Sequence, residues 1–372
     1  MRIRIWLLLL MGGFPMLGFS QTELNFSGKV TDMQGFFRQN QHDTFNQFQQ
    51  RFELEAHLLP SVQVHLGLRN RILSGPLIRK NPTYATLFEY DSGLLDLTKN
   101  TITQPGYFMN TALDRLYGAF TFKNWELRVG RQRINWGIGL VWNPNDLFNS
   151  YSYMDFDYQE RPGSDAVSLT CYTSDNAALD LAIKLDSNRQ VTAAMRYFFN
   201  QHDIDWQLLA GKVGRDWMAG GGWSGNIQDL AFRGEVSVYS DKTLVGTLDV
   251  DRALPGEWYL HAACIFNNHA SYNRSYAPLS NGASLDPKRL SFGKFGGFGL
   301  VSHSFSPIFK SSLAGMYNFQ DHAYYLSPSI DVSLTDNLNA LILGQILNGS
   351  AFSANGGSST LYAVYARIAW SF

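Results

Sequence analysis

Along most of the chain, apolar and polar residues alternate with a period of two. Within 61–73, Val62, Val64, Leu66 and Leu68 share one face, while Gln63, His65, Gly67 and Arg69 share the other. The same alternation sets Leu179, Leu181, Ile183 and Leu185 against Asp180, Ala182 and Lys184, and Val191, Ala193, Met195 and Tyr197 against Thr192, Ala194 and Arg196. It returns in 338–347 (Leu338, Ala340, Ile342, Gly344, Ile346) and in the last twelve residues, where Tyr362, Val364, Ala366, Ile368, Trp370 and Phe372 form one apolar row. A period of two is that of a β-strand with one greasy and one wetter face. The clean runs are about 9–14 residues long, beyond the 5–6 usual in globular proteins and suited to tilted strands crossing a bilayer. No stretch carries a 3.6-residue apolar stripe, and after residue 20 none is an uninterrupted apolar run of about 18 residues, so no membrane helix is predicted.

The predicted strands are 24–38, 44–59, 61–73, 108–122, 125–134, 164–173, 178–186, 190–199 and 204–213 in the first part of the chain. They continue with 216–223, 229–240, 243–251, 257–267, 290–304, 309–320, 323–334, 338–347 and 361–372, making eighteen, with sixteen as the alternative count. The long connections, 74–107, 135–163, 268–289 and 348–360, each follow an odd-numbered strand and therefore share one end. Links after even-numbered strands are tight turns. Long loops on one rim and short turns on the other define the fold class: an all-β, transmembrane, antiparallel up-and-down barrel with its long loops extracellular. Closure removes every strand edge, and the apolar rows then face lipid. A secreted β-sandwich would explain the alternation but not the even count or the strand length.

The N-terminus sets the compartment. Arg2 and Arg4 precede an apolar stretch through Leu10 and small residues up to Ser20, the pattern of a secretory signal peptide, 1–20, followed by a single barrel domain, 21–372. The first strand begins so soon after it that no N-terminal plug domain is expected, and Phe372 leaves none at the other end. Removal of residues 1–20 leaves 28 basic against 31 acidic residues, a net charge of −3 that argues against a nucleic-acid partner. Aromatics make up 14% and charged residues only 16%, against roughly 25% charged in a soluble globular chain, which fits strands facing lipid. Cys171 and Cys264 fall in phase with apolar neighbours and read as fillers rather than a disulfide or metal pair.

The chemistry concentrates in 125–169. Trp125, Leu127 and Val129 take one face and Glu126, Arg128 and Gln132 the other; the phase then breaks at Arg131 and Arg133. Two tryptophans, the turn Asn143-Pro144-Asn145-Asp146 and an aromatic–acidic run follow. The stretch GRQRINWGIGLVWNPNDLFN resembles one in outer-membrane porins of the alginate-export type, where a G-R-Q-x-x-x-W-G strand precedes an N-P-x-D-L turn. The resemblance implies an inward-folded constriction loop, with Arg128, Arg131 and Arg133 on the lumen wall and Asp146, Asp155, Asp157, Glu160 and Arg161 on or anchoring that loop. Charges in a narrow, poorly screened passage select solutes strongly. The same residues could instead form an arginine–carboxylate ladder that only holds wall and loop together. By phase alone, Arg69, Arg115, Arg128, Lys184 and Arg196 are the inward cations, too few for an alginate exporter and better suited to a general or modestly anion-preferring porin.

The terminal aromatic-x-aromatic row, with Tyr362, Trp370 and Phe372, resembles the C-terminal signal that the barrel-assembly machinery recognises. The expected function is an outer-membrane channel for small polar or anionic solutes such as sugars or acids, needing no cofactor and partnered by lipid, the assembly machinery and a small solute or saccharide. The alternatives are a surface-polysaccharide-binding or adhesin-like barrel, using loop aromatics such as Tyr84, Phe88, Tyr90 and Tyr107, and an outer-membrane hydrolase. Against the hydrolase, His202-Asp203 and His322-Asp321 are adjacent residues, and adjacent strand residues point apart.

Overall fold

The computed structural model describes residues 23–39, 41–150, 152–156, 163–270, 286–291, 293–349 and 358–372. Its strands are β1 (Glu23–Arg38), β2 (His42–Leu59), β3 (Val62–Ser74), β4 (Thr98–Gln104), β5 (Tyr107–Phe122), β6 (Trp125–Gln132), β7 (Ser164–Ser174), β8 (Ala177–Leu185), β9 (Val191–Gln201) and β10 (Ile204–Val213). They continue as β11 (Asp216–Ile227), β12 (Leu230–Tyr239), β13 (Leu244–Leu254), β14 (Trp258–Asn267), β15 (Phe295–Ser306), β16 (Phe309–Asn318), β17 (Tyr324–Thr335), β18 (Leu338–Gly349) and β19 (Ser359–Ser371). Two short helices, α1 (Pro76–Lys80) and α2 (Thr83–Glu89), lie between β3 and β4.

Eighteen of these strands form a closed antiparallel barrel. Each pairs with its neighbour in sequence, β3 pairs with β5, and β1 closes on β19 from Lys29 opposite Ser371 to Arg38 opposite Tyr362. The long connections all leave from one end, the loop rim; tight turns make the other, the turn rim. The remaining strand, β4, has no counterpart in the alternation pattern. It continues the edge of β5 above the end of β6, with Thr98 opposite Ala112 and Gln104 opposite Tyr107, while β6 covers only Leu116–Phe122. It thus fills the wall where β6 turns inward.

Outward rows are mostly apolar, with aromatics gathered near the rims. At the turn rim Phe372 pairs its backbone with Gly28 (N–H to carbonyl 2.9 and 3.0 Å), and its ring lies 6.0 Å from that of Phe26 and 6.5 Å from Phe52. A Cβ on Gly28 would fall 2.4 Å from the Phe372 ring, so glycine is what lets the terminal side chain lie flat on the wall. Inside, the loop-rim half of the lumen is packed rather than open. Met33, Phe37, Phe45, Leu73 and Phe108 of the wall bury Leu77 and Ile78 of α1 and Phe88 of α2.

Candidate functional site

The site is the lumen around residues 133–156, which leave the wall after β6 and cross the barrel. Two apolar patches carry the crossing. Ile134, Trp136, Leu147 and Phe148 pack on inward residues of β7 to β12, where Ala166, Ala182 and Ala194 leave room for the large rings. Val141 and Trp142 pack on Val245, Ala263, Ile265 and Phe298 of β13 to β15. Further along, Tyr153 stacks edge-on against Phe298 (4.7 Å) and Phe156 against Tyr365 (4.6 Å), so the segment reaches the far wall.

Polar anchors fix its depth. The buried Glu235 carboxylate of β12 accepts backbone N–H groups from Ile138, Gly139 (2.9 Å) and Asn145 (2.9 Å). Asn145 Nδ2 donates to the Gly221 carbonyl (2.9 Å), and Ser237 Oγ donates to the Pro144 carbonyl (3.0 Å). A carboxylate gathering three N–H groups of an irregular segment satisfies donors that would otherwise be buried without partners. Glu235, with the Asp249–His261 pair nearby (2.9 Å), was not among the sequence candidates. The alternation did hold the signal: Phe232, Gly234, Val236 and Val238 face out, which leaves Arg233, Glu235 and Ser237 facing in.

Beneath the crossing, on the turn-rim side, lies a cavity of about 310 Å³ lined by Glu126, Arg128, Arg133, Trp136, Asp180 and Arg196 among others. Arg196 donates to Asp180 Oδ2 (2.6 and 2.9 Å), and its guanidinium lies 5.4 Å from the Trp136 ring centre. Arg128 pairs with Glu126. Arg133 makes no ion pair among the described residues, and its Nε has no hydrogen-bond partner. The cavity therefore holds three guanidinium groups against two carboxylates. A second cavity, about 190 Å³, is lined by Glu53, Glu55, His65, Arg115 and Tyr117.

The other candidates are distributed as follows. Arg69 faces inward and shares Asp114 (3.3 Å) with Arg51 (2.8 Å). A bulge puts both Asp114 and Arg115 on the inner face, and Arg115 Nη1 donates to the Asp114 carbonyl (2.8 Å). Lys184 is inward but spends its Nζ on the Phe148 carbonyl (2.6 Å), tethering the crossing segment. Asp146 is fully buried at the Asn143–Asp146 turn, and Asp155 lies half-buried near its far end. Asp157, Glu160 and Arg161 lie outside the described residues.

Arg131 departs from the expectation that it lines the lumen. It stands opposite Leu116 and Asp165, in the outward row that includes Val129 and Val167. There it fills the notch above β6, where Nε donates to Asp165 Oδ1 (2.7 Å), Nη1 to Asp91 Oδ2 (2.7 Å) and Nη2 to the Leu95 carbonyl (2.6 Å). Residues 91–97 cap it, and Gly93 is pressed so close that a Cβ would meet Nη2 at 2.2 Å. The reason is the wall itself: once β6 leaves, the outward row needs a cover, and the Arg131 cluster pins that cover down.

Loop aromatics are likewise partly structural, since Phe88 is buried against Phe108 (5.4 Å) and beneath Arg71 (4.4 Å), whereas Tyr90 and Tyr107 are exposed. His322 Nδ1 meets the Tyr317 hydroxyl (2.6 Å) rather than Asp321.

No family model and no curated protein sequence matches the chain. Solved structures do. Pseudomonas aeruginosa OccK5 (OpdH) superposes with a TM-score of 0.60 at 9% identity, over 94% of this chain and 98% of its own. OccK11 (OpdR) of the same organism gives 0.57 at 10% identity, over 94% and 96%. Acinetobacter baumannii OccAB4 gives 0.57 at 9%, over 95% of this chain and 100% of its own. These are outer-membrane porins, and the fold of this chain is theirs.

Proposed function

We propose that the chain is an outer-membrane channel for small polar or anionic solutes, with residues 133–156 as its constriction. The observation that carries this is the space of about 310 Å³ beneath the crossing segment, where Arg128, Arg133 and Arg196 outnumber Glu126 and Asp180 and Arg133 has no counter-ion among the described residues. In a passage walled by protein, an unpartnered guanidinium acts on a passing anion with little screening. Arg69 and Arg115 extend the positive side toward β3 and β5, and Asp146 and Asp155 belong to the segment that narrows the lumen. Substrate-specific porins are the structural neighbours, which supports transport over surface adhesion or hydrolysis.

Within that reading the loop rim faces outward from the cell and the turn rim faces the periplasm. Residues 1–20 are the secretory signal, and Tyr362, Trp370 and Phe372 are the row presented to the barrel-assembly machinery, with Phe372 seated on Gly28. The alginate-export resemblance of 130–149 is the finer reading; the small number of lumen cations favours a shorter mono- or dicarboxylate or sugar acid as the solute.

Vesicle swelling tests the proposal. Reconstituted protein should admit small carboxylates faster than size-matched neutral sugars and cationic amino acids, and Arg133→Ala should narrow that gap. Vesicles that admit none of these solutes would contradict it.

A further inference from the structure

The two ends of the wall over β8–β13 carry opposite charge. At the turn rim the connections 202–203, 228–229 and 255–257 hold Asp203, Asp229 and Glu257, with no lysine or arginine. At the loop rim Arg189 lies in the β8–β9 connection, Arg215 in the β10–β11 connection and Lys242 in the β12–β13 connection. Lys212 stands just before Arg215, near the end of β10. Backbone hydrogen bonds tie these three connections side by side. The Gly214 N–H donates to the Val191 carbonyl (3.0 Å), and the Ser240 N–H donates to the Trp217 carbonyl (2.8 Å). The cations therefore share one stretch of the rim, whatever the tilt of the strands.

Charge is also sorted between the inner and outer sides of that stretch. Asp216, in phase with the buried Met218, and the nearby Asp241 are both held by Lys288 (2.6 and 2.7 Å). Lys212 instead belongs to the outward row of Trp206, Leu208 and Ala210. Its Nζ lies 5.9 Å from the ring centre of Trp217, its exposed cross-strand partner. Among the described residues none of Arg189, Lys212, Arg215 and Lys242 has a carboxylate partner. Asp186, the remaining carboxylate of these connections, accepts the backbone N–H groups of Asn188 (2.9 Å) and Gln190 (2.7 Å). On the membrane side of the cations the outward rows expose Ile183, Leu208, Val238 and Leu248. Unpaired cations at the rim, an indole beside them and an apolar wall beyond make the layering of a lipid headgroup contact.

We propose that this part of the loop rim binds the phosphates of a glycolipid in the outer leaflet, whose acyl chains lie on the wall of β8–β13. Attraction between basic side chains and anionic headgroups dies away within a Debye length, so only cations at headgroup level contribute. Arg189, Lys212, Arg215 and Lys242 are at that level, and guanidinium and ammonium groups both donate charge-assisted hydrogen bonds to phosphate oxygens. Lys212 can lay its methylene stem along the wall and keep its Nζ among the headgroups. The carboxylates of the turn rim repel the same phosphates, so the contact is one-sided. This placement rests on the orientation given above, with the loop rim outward from the cell, and on nothing about conduction.

Lipid binding to the folded full chain in a neutral detergent tests it, with the bound fraction read by native mass spectrometry. The probes are lipid A bearing both its phosphates and the same lipid A with them removed. The phosphorylated form should bind, and the dephosphorylated form should bind more weakly by about fivefold or more. Arg189→Gln, Lys212→Gln, Arg215→Gln and Lys242→Gln together should weaken the phosphorylated form by a similar factor, in protein that keeps its heat-modifiable gel shift. Lys123→Gln, Arg252→Gln and Lys310→Gln together, which neutralise cations near the turn rim, should leave binding unchanged. Excess inorganic phosphate at constant ionic strength should not displace the lipid. Equal binding of the two lipid A forms, a smaller loss in the loop-rim variant, an equal loss in the turn-rim variant, or displacement by free phosphate each overturns the proposal. No solute crosses a membrane in this assay, so a failure here leaves the channel to be decided by vesicle swelling alone.

Discussion

Arg131 and Arg133 are two residues apart, and a strict period of two would give them the same surroundings. They have opposite ones. Arg131 donates to two carboxylates and a backbone carbonyl in a notch of the wall, whereas Arg133, one step past the end of β6, borders the lumen cavity with no counter-ion among the described residues. The difference follows from what surrounds each group. A guanidinium in the wall cannot exist without its carboxylates, and a guanidinium bordering water can stay unpaired and act on whatever passes. One arginine therefore builds the channel and the other serves it.

The largest effect expected from this contrast is at the wall. Arg131→Met strands Asp91 and Asp165 under the 91–97 cap, and loss of one member of a buried ion cluster costs about 3–5 kcal/mol. Urea unfolding monitored by the heat-modifiable gel shift measures this, and an unchanged midpoint would break the assignment of Arg131 to structure. The next largest is at the crossing segment. Glu235→Ala leaves the N–H groups of Ile138, Gly139 and Asn145 without acceptors, at about 1–3 kcal/mol for each left buried and unpaired. The barrel should still form, with larger and noisier single-channel currents as the segment loosens. Quiet currents of unchanged size would place the constriction elsewhere.

Arg133→Ala sharpens the comparison from the other side. It removes no ion pair among the described residues, so stability should stay within about 0.5 kcal/mol while the reversal potential in a salt gradient moves toward cation preference. The smallest effect expected is at the loop rim, where Lys288 bridges Asp216 (2.6 Å) and Asp241 (2.7 Å). Asp241 experiences slight burial that favours its neutral form, but the hydrogen bonds from Lys288 and Thr243 outweigh it and hold the carboxyl down at about 2. A depressed folded value means the contribution is complete above the unfolded value of about 3.9 and is lost as pH falls toward 2. Acidification through that window should open the Lys288–Arg289 bond to an acid-active protease, and constant protection down to pH 2 would contradict the bridge.

Much of the fold was legible because the period of two in a barrel reports which solvent each face meets. The eighteen barrel strands and the shared side of the long connections follow from it. What escaped was whatever lacks that signal. β4 reads Thr98-Lys99-Asn100-Thr101-Ile102-Thr103-Gln104, with no apolar alternation, because it patches a gap rather than spanning the belt. Arg131 could not be placed from phase, since its surroundings are set by where β6 leaves the wall, a long-range property. Lys184 shows a further limit: its inward direction was readable, but its use on the Phe148 carbonyl depends on where the crossing segment comes to rest.

The central claim is that a folded barrel of this chain conducts through a lumen whose remaining space is lined by Arg128, Arg133 and Arg196. Single-channel recording in planar bilayers under a potassium chloride gradient tests it most directly. The account predicts discrete open steps with a reversal potential on the anion-selective side, shifted toward cations by Arg133→Ala. Folded, inserted protein that gives no steps, or steps whose selectivity ignores Arg133, would contradict it.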